Sequence, residues 1–359
     1  MGRSSRTEIL LCGGLASAAI LLRFYFAWHS APGRDLKAFS ETVALFRGGS
    51  RIYEKTSLYN YSPLWLWMLL GLERLSVALG LPFEGVVRSF LATVDAGCAV
   101  ILFRIAASLP TALSPWRAIA LYLLNPVVIV ASSIQGQFDT LSLFFLLGAV
   151  WLSGNGPRPA RSRAGTALFL TLSVATKQMT VFHPVLWWRD RRSAWLVAAP
   201  YLVNLGLFLP YASQWRGIRD HVLFYRSVPV SYGFSEWVLL DSRWALPLGL
   251  FSFCACLAAA WALRGKELPR ASLLLFLVLL FFAPGFGAHY LVWPLTIGSL
   301  YGGRGYLLTI FFWAVALAGN VWGLLGTAQW TGHLIWLAIL LWGIEVLRLL
   351  RPGSAPAPA

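Results

Sequence analysis

The stretch Ser62-Pro-Leu-Trp-Leu-Trp-Met-Leu-Leu-Gly-Leu-Glu-Arg-Leu-Ser-Val-Ala-Leu-Gly80 decides how the whole chain is threaded. It is long and apolar enough to cross a bilayer, which takes about 20 helical residues. Its middle carries Glu73-Arg74, and each charge at bilayer depth costs about 2.5–3.5 kcal/mol. Keeping 62–80 outside as an interfacial helix puts Arg3/Arg6, Arg158/Arg161/Arg163, Arg189/Arg191/Arg192, Arg264/Lys266/Arg270, Arg304 and Arg348/Arg351 on one side. Basic loops mark the cytoplasmic side, so both termini are expected inside. If 62–80 crossed, the middle clusters would all lie outside.

Outward from that stretch, crossings are expected at 8–28, 86–107, 117–133, 139–153, 164–176, 178–188, 193–212, 243–263, 270–285, 288–302, 305–325 and 331–349. The fold class is therefore an all-α polytopic membrane protein of about 12 transmembrane helices. One transmembrane domain is expected over 1–351, with a Pro/Ala-rich disordered tail at 352–359. The first apolar run reads as an uncleaved signal-anchor. The pair 164–176 and 178–188 reads as two half-length helices meeting at Lys177-Gln178, a break of the kind that lines a cavity. Residues 29–85 form a large external loop. It holds an amphipathic helix at 36–47, with Asp35 as N-cap, Gly48-Gly49 as its end, and Leu36, Phe39, Val43 and Phe46 on one face.

Composition agrees. Hydrophobic residues are 58% of the chain and charged residues 12%, with a mean hydropathy of +0.67. Soluble domains carry about 25% charged residues. The apolar runs lack the alternation of a β-barrel. A net charge of +15 suggests nucleic acid, but most cations sit in short loops as topology signals, so no nucleic-acid partner is expected. Cys12, Cys98, Cys254 and Cys256 lie in apolar runs and read as small core residues. His29, His183, His221 and His333 lack paired ligand spacing, so no metal site is expected. No cofactor is required by the sequence; a divalent cation is compatible with it but not indicated.

With 14 acids against 29 basic residues, each acid can be weighed. Asp95 lies within a crossing, where an acid is either a functional group or a hydrogen-bonding tie between helices. Asp35 and Asp139 both fall at the outer edge. Each could cap a helix. Each could also do chemistry: Asp35 as a general base at the water–lipid boundary, with Arg34 and Lys37 nearby, and Asp139 as a binding group in the turn Gln135-Gly-Gln137-Phe-Asp139. The same face gathers Lys177, Arg216, Arg219, His221, Arg226, His289 and Tyr290. Cations and rings there suit a phosphate-bearing, sugar-bearing lipid, or anchor the protein at the interface.

The order of several motifs resembles the polyprenyl-phosphate-sugar-dependent membrane glycosyltransferases of the GT-C fold, mannosyltransferase-like members above all. The motifs are Asp35 with its helix and Gly-Gly, Tyr59-Asn-Tyr61-Ser-Pro-Leu64, Asn125-Pro126 leading to Gly136-Gln137-Phe138-Asp139, Thr176-Lys177-Gln178, and Pro284-Gly-Phe-Gly-Ala-His289-Tyr290-Leu-Val-Trp293-Pro294. Two departures stand out: Leu36-Lys37 follows Asp35 where the family often has a second acid, and Ser62 replaces a proline. The resemblance implies inverting transfer of a hexose, mannose first, from a polyprenyl-phosphate donor to a lipid or glycan acceptor on the extracytoplasmic face. It implies Asp35 as base, with Gln137, Asp139, Lys177, Gln178, Arg226, His289, Tyr290 and Tyr61 binding substrate and Trp65 near the pocket. The Arg/Ala/Gly/Trp-rich composition leans towards a bacterial inner membrane. The alternative is a transporter or flippase for a lipid-linked sugar or another anion, which twelve spans and a broken helix also suit.

Overall fold

The computed structural model describes residues 6–155, 159–223, 245–283, 285–322 and 328–350. Its architecture is built from helices. Three of them, Arg6–His29, Phe83–Ser108 and Gly332–Leu349, are long and apolar enough to cross a membrane, and bent pairs at 115–134 and 191–223 bring the number to as many as five. The chain is an integral multi-pass membrane protein.

Helix α1 (Arg6–His29) buries Ala16, Ala19, Arg23 and Ala27 along one face. Three of these are small, which lets α1 lie close against α5 (Phe83–Ser108). The fourth needs a partner. Arg23 Nε donates to Asp95 Oδ2 at 3.0 Å, with both side chains wholly buried. Tyr122 Oη donates to Asp95 Oδ1 at 3.2 Å and Ser132 Oγ to Oδ2 at 2.6 Å. Arg23 Nη1 donates to the carbonyls of Ala19 and Leu123, while Nη2 has no hydrogen-bond partner. Of the two readings open for Asp95, the hydrogen-bonding tie is the one this geometry carries.

The stretch expected as an external loop is helical. Helix α2 (Arg34–Arg47) buries Leu36, Phe39 and Val43 as its spacing predicts, with Phe46 half-buried. Its start differs from expectation. Gly33 is the N-cap, and Asp35 sits one residue inside the first turn without capping the backbone. The Asp35 carboxylate is instead drawn to a partner far along the chain, described below. After α3 (Ile52–Lys55) comes α4 (Pro63–Leu79), the stretch that set the threading. Ser62 Oγ accepts the Leu64 N–H, Pro63 takes the first helical position, and Gly80 ends the helix at φ +65°. Trp65, Leu66 and Leu69 are buried against α2, α5 and α9 (Pro159–Thr176), while Trp67, Leu75, Val77 and Leu79 face outward. Glu73 meets Arg47 at 2.7 Å.

Helix α6 (Pro115–Leu123) breaks before α7 (Pro126–Ile129) because Pro126 lacks an N–H and disfavours helix at Asn125. Asn125 Oδ1 accepts the Val127 N–H at 2.9 Å and restarts the helix, which widens into a π-turn over Val130–Ile134. The two halves are bent by 50°. Helices α8 (Asp139–Asn155) and α9 form a hairpin tied by hydroxyls: Ser142 Oγ donates to the Ser173 carbonyl at 2.9 Å, and Ser173 Oγ to that of Ser142 at 2.8 Å. Helix α9 ends at Thr176 and Lys177 is extended, as a break at 177–178 requires. The second half-helix expected at 178–188 is not α-helical. It is a pair of 3-10 turns, Gln178–Thr180 and His183–Trp187, with Pro184 withholding a donor. Helices α10 (Ala194–Leu207), α11 (Trp215–Ile218), α12 (Ala245–Ala262), α13 (Leu268–Phe282), α14 (Val292–Gly298), α15 (Arg304–Trp322) and α16 (Ala328–Leu349) complete the bundle.

Removing one member of a wholly buried ion pair strands the other, at a cost of about 3–5 kcal/mol. Asp95→Leu is therefore expected to lower the melting temperature sharply in detergent, and Arg23→Met with Asp95→Leu to recover much of the loss. A double variant melting no higher than the single would show that the pair is not coupled.

Candidate active site

One tight turn brings Asp35 close to the Gln137-Phe138-Asp139 stretch. After the π-turn, the Gln135 N–H bonds the Val130 carbonyl and the Gln137 N–H that of Ala131, both at 2.8 Å. Gly136 adopts φ +73°, the left-handed region. A Cβ there would also lie 2.5 Å from Leu36 Cδ2. The first turn of α2 thus rests on the place where a side chain is missing. Asp35, next to Leu36, then meets Gln137: Nε2 donates to Asp35 Oδ2 at 2.6 Å. The other amide atom, Gln137 Oε1, is buried with no hydrogen-bond partner. Asp35 itself remains half-exposed. Burial pushes its carboxyl above the ordinary carboxylate range, opposed by the Lys177 charge and the Gln137 hydrogen bond. Lys37, expected to support it, points to the exposed side of α2.

Asp139 is buried at the first position of α8. Both of its oxygens are engaged by side chains: Lys177 Nζ at 2.6 Å on Oδ2 and Trp293 Nε1 at 2.6 Å on Oδ1. Lys177 lies over three rings, 5.0 Å from Phe138, 5.6 Å from Tyr290 and 5.7 Å from Tyr61. Tyr61 stands edge-on to Phe138 at 4.7 Å, and Tyr290 stacks on Trp293 at 4.4 Å. Gln178 Nε2 donates to the Asn60 carbonyl at 3.1 Å, which fixes the Tyr59-Asn60-Tyr61 loop.

A cavity of about 220 Å³ opens beside this cluster. Tyr61, Lys177, Gln178, Tyr290 and Trp293 line one side; Met179, Phe182, Leu279, Leu280 and Ala283 line the other. His289 touches Tyr290 edge-on at 4.5 Å but borders a separate cavity of about 60 Å³ with Gln135. Trp65 is buried behind the site, stacked on Phe138 at 4.1 Å, and does not line the larger cavity. Arg226 lies outside the described residues. Asp35, Gln137, Asp139, Lys177, Gln178, Tyr61 and Tyr290 are thus one cluster. Trp293 and Phe138 belong to it too, although the sequence reading gave them no site role. The spacing of Trp293 three residues after Tyr290 was the available signal, since such residues stack on one helix face. Among the described residues, no three His, Cys, Asp or Glu side chains gather as a metal site would require.

Residues 15–211 match the model of a family described as GPI transamidase subunit PIG-U. The chain belongs to the PIG-U family. The matched stretch carries Asp35, Tyr61, Gln137, Asp139, Lys177 and Gln178; the Tyr290–Trp293 wall lies beyond it. No curated protein matches this PIG-U family chain. Among solved structures it is similar to ArnT from Cupriavidus metallidurans, crystallised bound to undecaprenyl phosphate. The identity is 12%, the TM-score 0.54, and the match covers 96% of this chain and 78% of that one. At that identity the likeness establishes the fold, which is GT-C-like as the motifs implied.

The folded chain holds the Asp35 proton more tightly than the unfolded chain does. Stability from this group is therefore full below the unfolded carboxylate value and declines as pH rises towards the folded one. Asp35→Asn is expected to melt higher than wild type at pH 7, with the difference closing below pH ~4. Melting curves against pH check this; an Asn variant less stable at neutral pH would mean the carboxylate is held in net favourable contact.

Proposed function

We propose that the chain is a membrane hexosyltransferase that takes its sugar, mannose first, from a polyprenyl-phosphate donor. The carrying observation is the two-sided cavity, aromatic and cationic on one wall and aliphatic on the other, beside the Asp35–Gln137 pair. An amphipathic donor suits it: isoprenoid against Leu279 and Leu280, phosphate towards Lys177. The undecaprenyl phosphate named with the ArnT structure supports a donor of this class. In this reading both termini are cytoplasmic, about twelve segments cross the membrane, and α2 and α4 lie on the extracytoplasmic face of a cell-envelope membrane.

Chemistry follows from the raised affinity of Asp35 for protons. Its carboxylate accepts the proton of an acceptor hydroxyl, on a lipid or glycan. That oxygen attacks the anomeric carbon, the bond from that carbon to the phosphate oxygen breaks, and polyprenyl phosphate departs with inversion. Lys177 meets the departing charge with the N–H donors that Asp139 leaves free. The unpartnered Gln137 Oε1 accepts from a sugar hydroxyl. Arg226 and His289 remain proposed contacts to the phosphate.

The family match favours a second reading, in which the same cavity holds a lipid-linked glycan as a subunit of a transamidase and transfers nothing. The Lys177–Asp139 bond, which offsets much of the lysine charge, fits that reading as well. Purified protein, radiolabelled polyprenyl-phosphate mannose and an acceptor lipid separate the two. Transfer that falls by about 10²–10⁴-fold in Asp35→Asn, the usual weight of a general base, is the expected result. Binding of the donor without turnover, unchanged by Asp35→Asn, would select the holding subunit instead.

A further inference from the structure

A second cavity lies at the other end of the bundle and plays no part in the reading above. It measures about 420 Å³ and is walled by Cys12 of α1, Ala120 and Leu124 of α6, and Leu307 and Ile310 of α15, with Leu113 at its rim. Cys12 precedes His29 by 17 residues of continuous helix, about 25 Å, so this groove is far from Asp35. Its polar groups are few and placed at its ends. Asn125, at the deep end, is bonded to Tyr306 Oη at 3.0 Å. Arg117 stands exposed at the mouth. Its Nε meets Glu8 at 3.2 Å, and a guanidinium has further N–H donors beyond that one.

Of the residues lining the groove, Arg117 carries the charge. Arg6 begins α1 and Arg304 begins α15, and both are exposed. The acids near them are Glu8, held by Arg117 and Ser114, and Glu345, which accepts the Gly305 N–H at 3.1 Å. An apolar slot with an arginine in its wall matches a molecule with a long alkyl chain and a phosphate. We infer that this groove binds an anionic glycerophospholipid of the leaflet opposite Asp35, one acyl chain between α1, α6 and α15 and its phosphate on Arg117.

Cys12 lines the groove and reports on its occupancy. The test protein carries Cys254→Ser, since Cys254 is exposed while Cys98 and Cys256 are buried. Alkylation of Cys12 by N-ethylmaleimide is followed in mixed micelles with phosphatidylglycerol, phosphatidylcholine or polyprenyl phosphate. Phosphatidylglycerol is expected to slow the reaction about tenfold more than phosphatidylcholine, the factor carried by one charge-assisted hydrogen bond. Arg117→Gln, a change at an exposed position whose melting curve checks the fold, is expected to abolish that difference. Asp35→Asn is expected to leave it intact, so the groove stands or falls separately from the transferase reading. Equal protection by both glycerolipids, or a preference that survives Arg117→Gln, would overturn the assignment. Protection by polyprenyl phosphate with none from phosphatidylglycerol would overturn it too and make the groove a second donor site.

Discussion

The bond between Lys177 and Asp139 is the contact on which the arrangement of the candidate site depends. It joins the start of α8 to the residue just past α9, and Trp293 ties the same carboxylate to α14. None of these groups tolerates burial without a counter-charge or a hydrogen bond. Each therefore dictates where the other segments stop. Helix α9 must end at Thr176 so that Lys177 can turn inward in an extended conformation. The chain then continues in 3-10 turns, whose side chains form part of the cavity wall. A buried ion pair is weak evidence for stability, because desolvation offsets its attraction. Its better-attested effect is to select one arrangement, and here that arrangement is an open pocket at a broken helix.

Asp35 occupies the opposite situation. It is half-exposed and has one side-chain partner, an amide rather than a cation. Lys177 lowers its proton affinity from a distance, while the Asp139 charge partly cancels that help and burial raises it. Two carboxylates near one lysine cannot both be neutralised by it. Asp139 is bonded directly to it, and Asp35, outside the spans, keeps a raised proton affinity. Unequal environments imposed on paired acids are how such sites divide their roles. Gly136 makes the division possible, since only a residue without Cβ admits Leu36 and so brings Asp35 within reach of Gln137.

Much of this was legible in the chain itself. The long apolar runs, Glu73-Arg74 inside one of them, and the half-length segments meeting at Lys177-Gln178 announced a polytopic bundle with a break. The face of α2 was readable from Leu36, Phe39 and Val43 because a surface helix has one buried stripe. Asp35 was misplaced by two positions relative to its cap, since local capping rules carry no information about Gln137, 102 residues away. The same limit explains Asp95. From sequence it could have been a functional acid or a tie, and only the convergence of Arg23, Tyr122 and Ser132 decides between them. The 178–188 segment read as a helix because its residues are apolar; Pro184 and the demand that Lys177 face inward outweigh that propensity. Trp293 was hidden for a different reason: its spacing from Tyr290 marks a shared helix face, but nothing local marks an indole that bonds a carboxylate.

Fold and family point in directions that meet only at the site. A GT-C-like fold is compatible with many activities, and shared architecture does not transmit chemistry. The family match ends at Tyr211, so it covers both acids, Gln137 and Lys177 but none of Leu279, Tyr290 or Trp293. The polar half of the cavity thus lies within the matched stretch, while most of the apolar and aromatic lining comes from the unmatched remainder. Holding a lipid-linked glycan makes demands on the lining and a cation, whereas the proposed transfer also uses the Asp35 carboxylate and the Gln137 amide oxygen. Asp35 and Gln137 are the residues on which holding and transferring make different demands. They meet in a hydrogen bond of 2.6 Å at a half-exposed acid, and substitution of either tests the two readings apart.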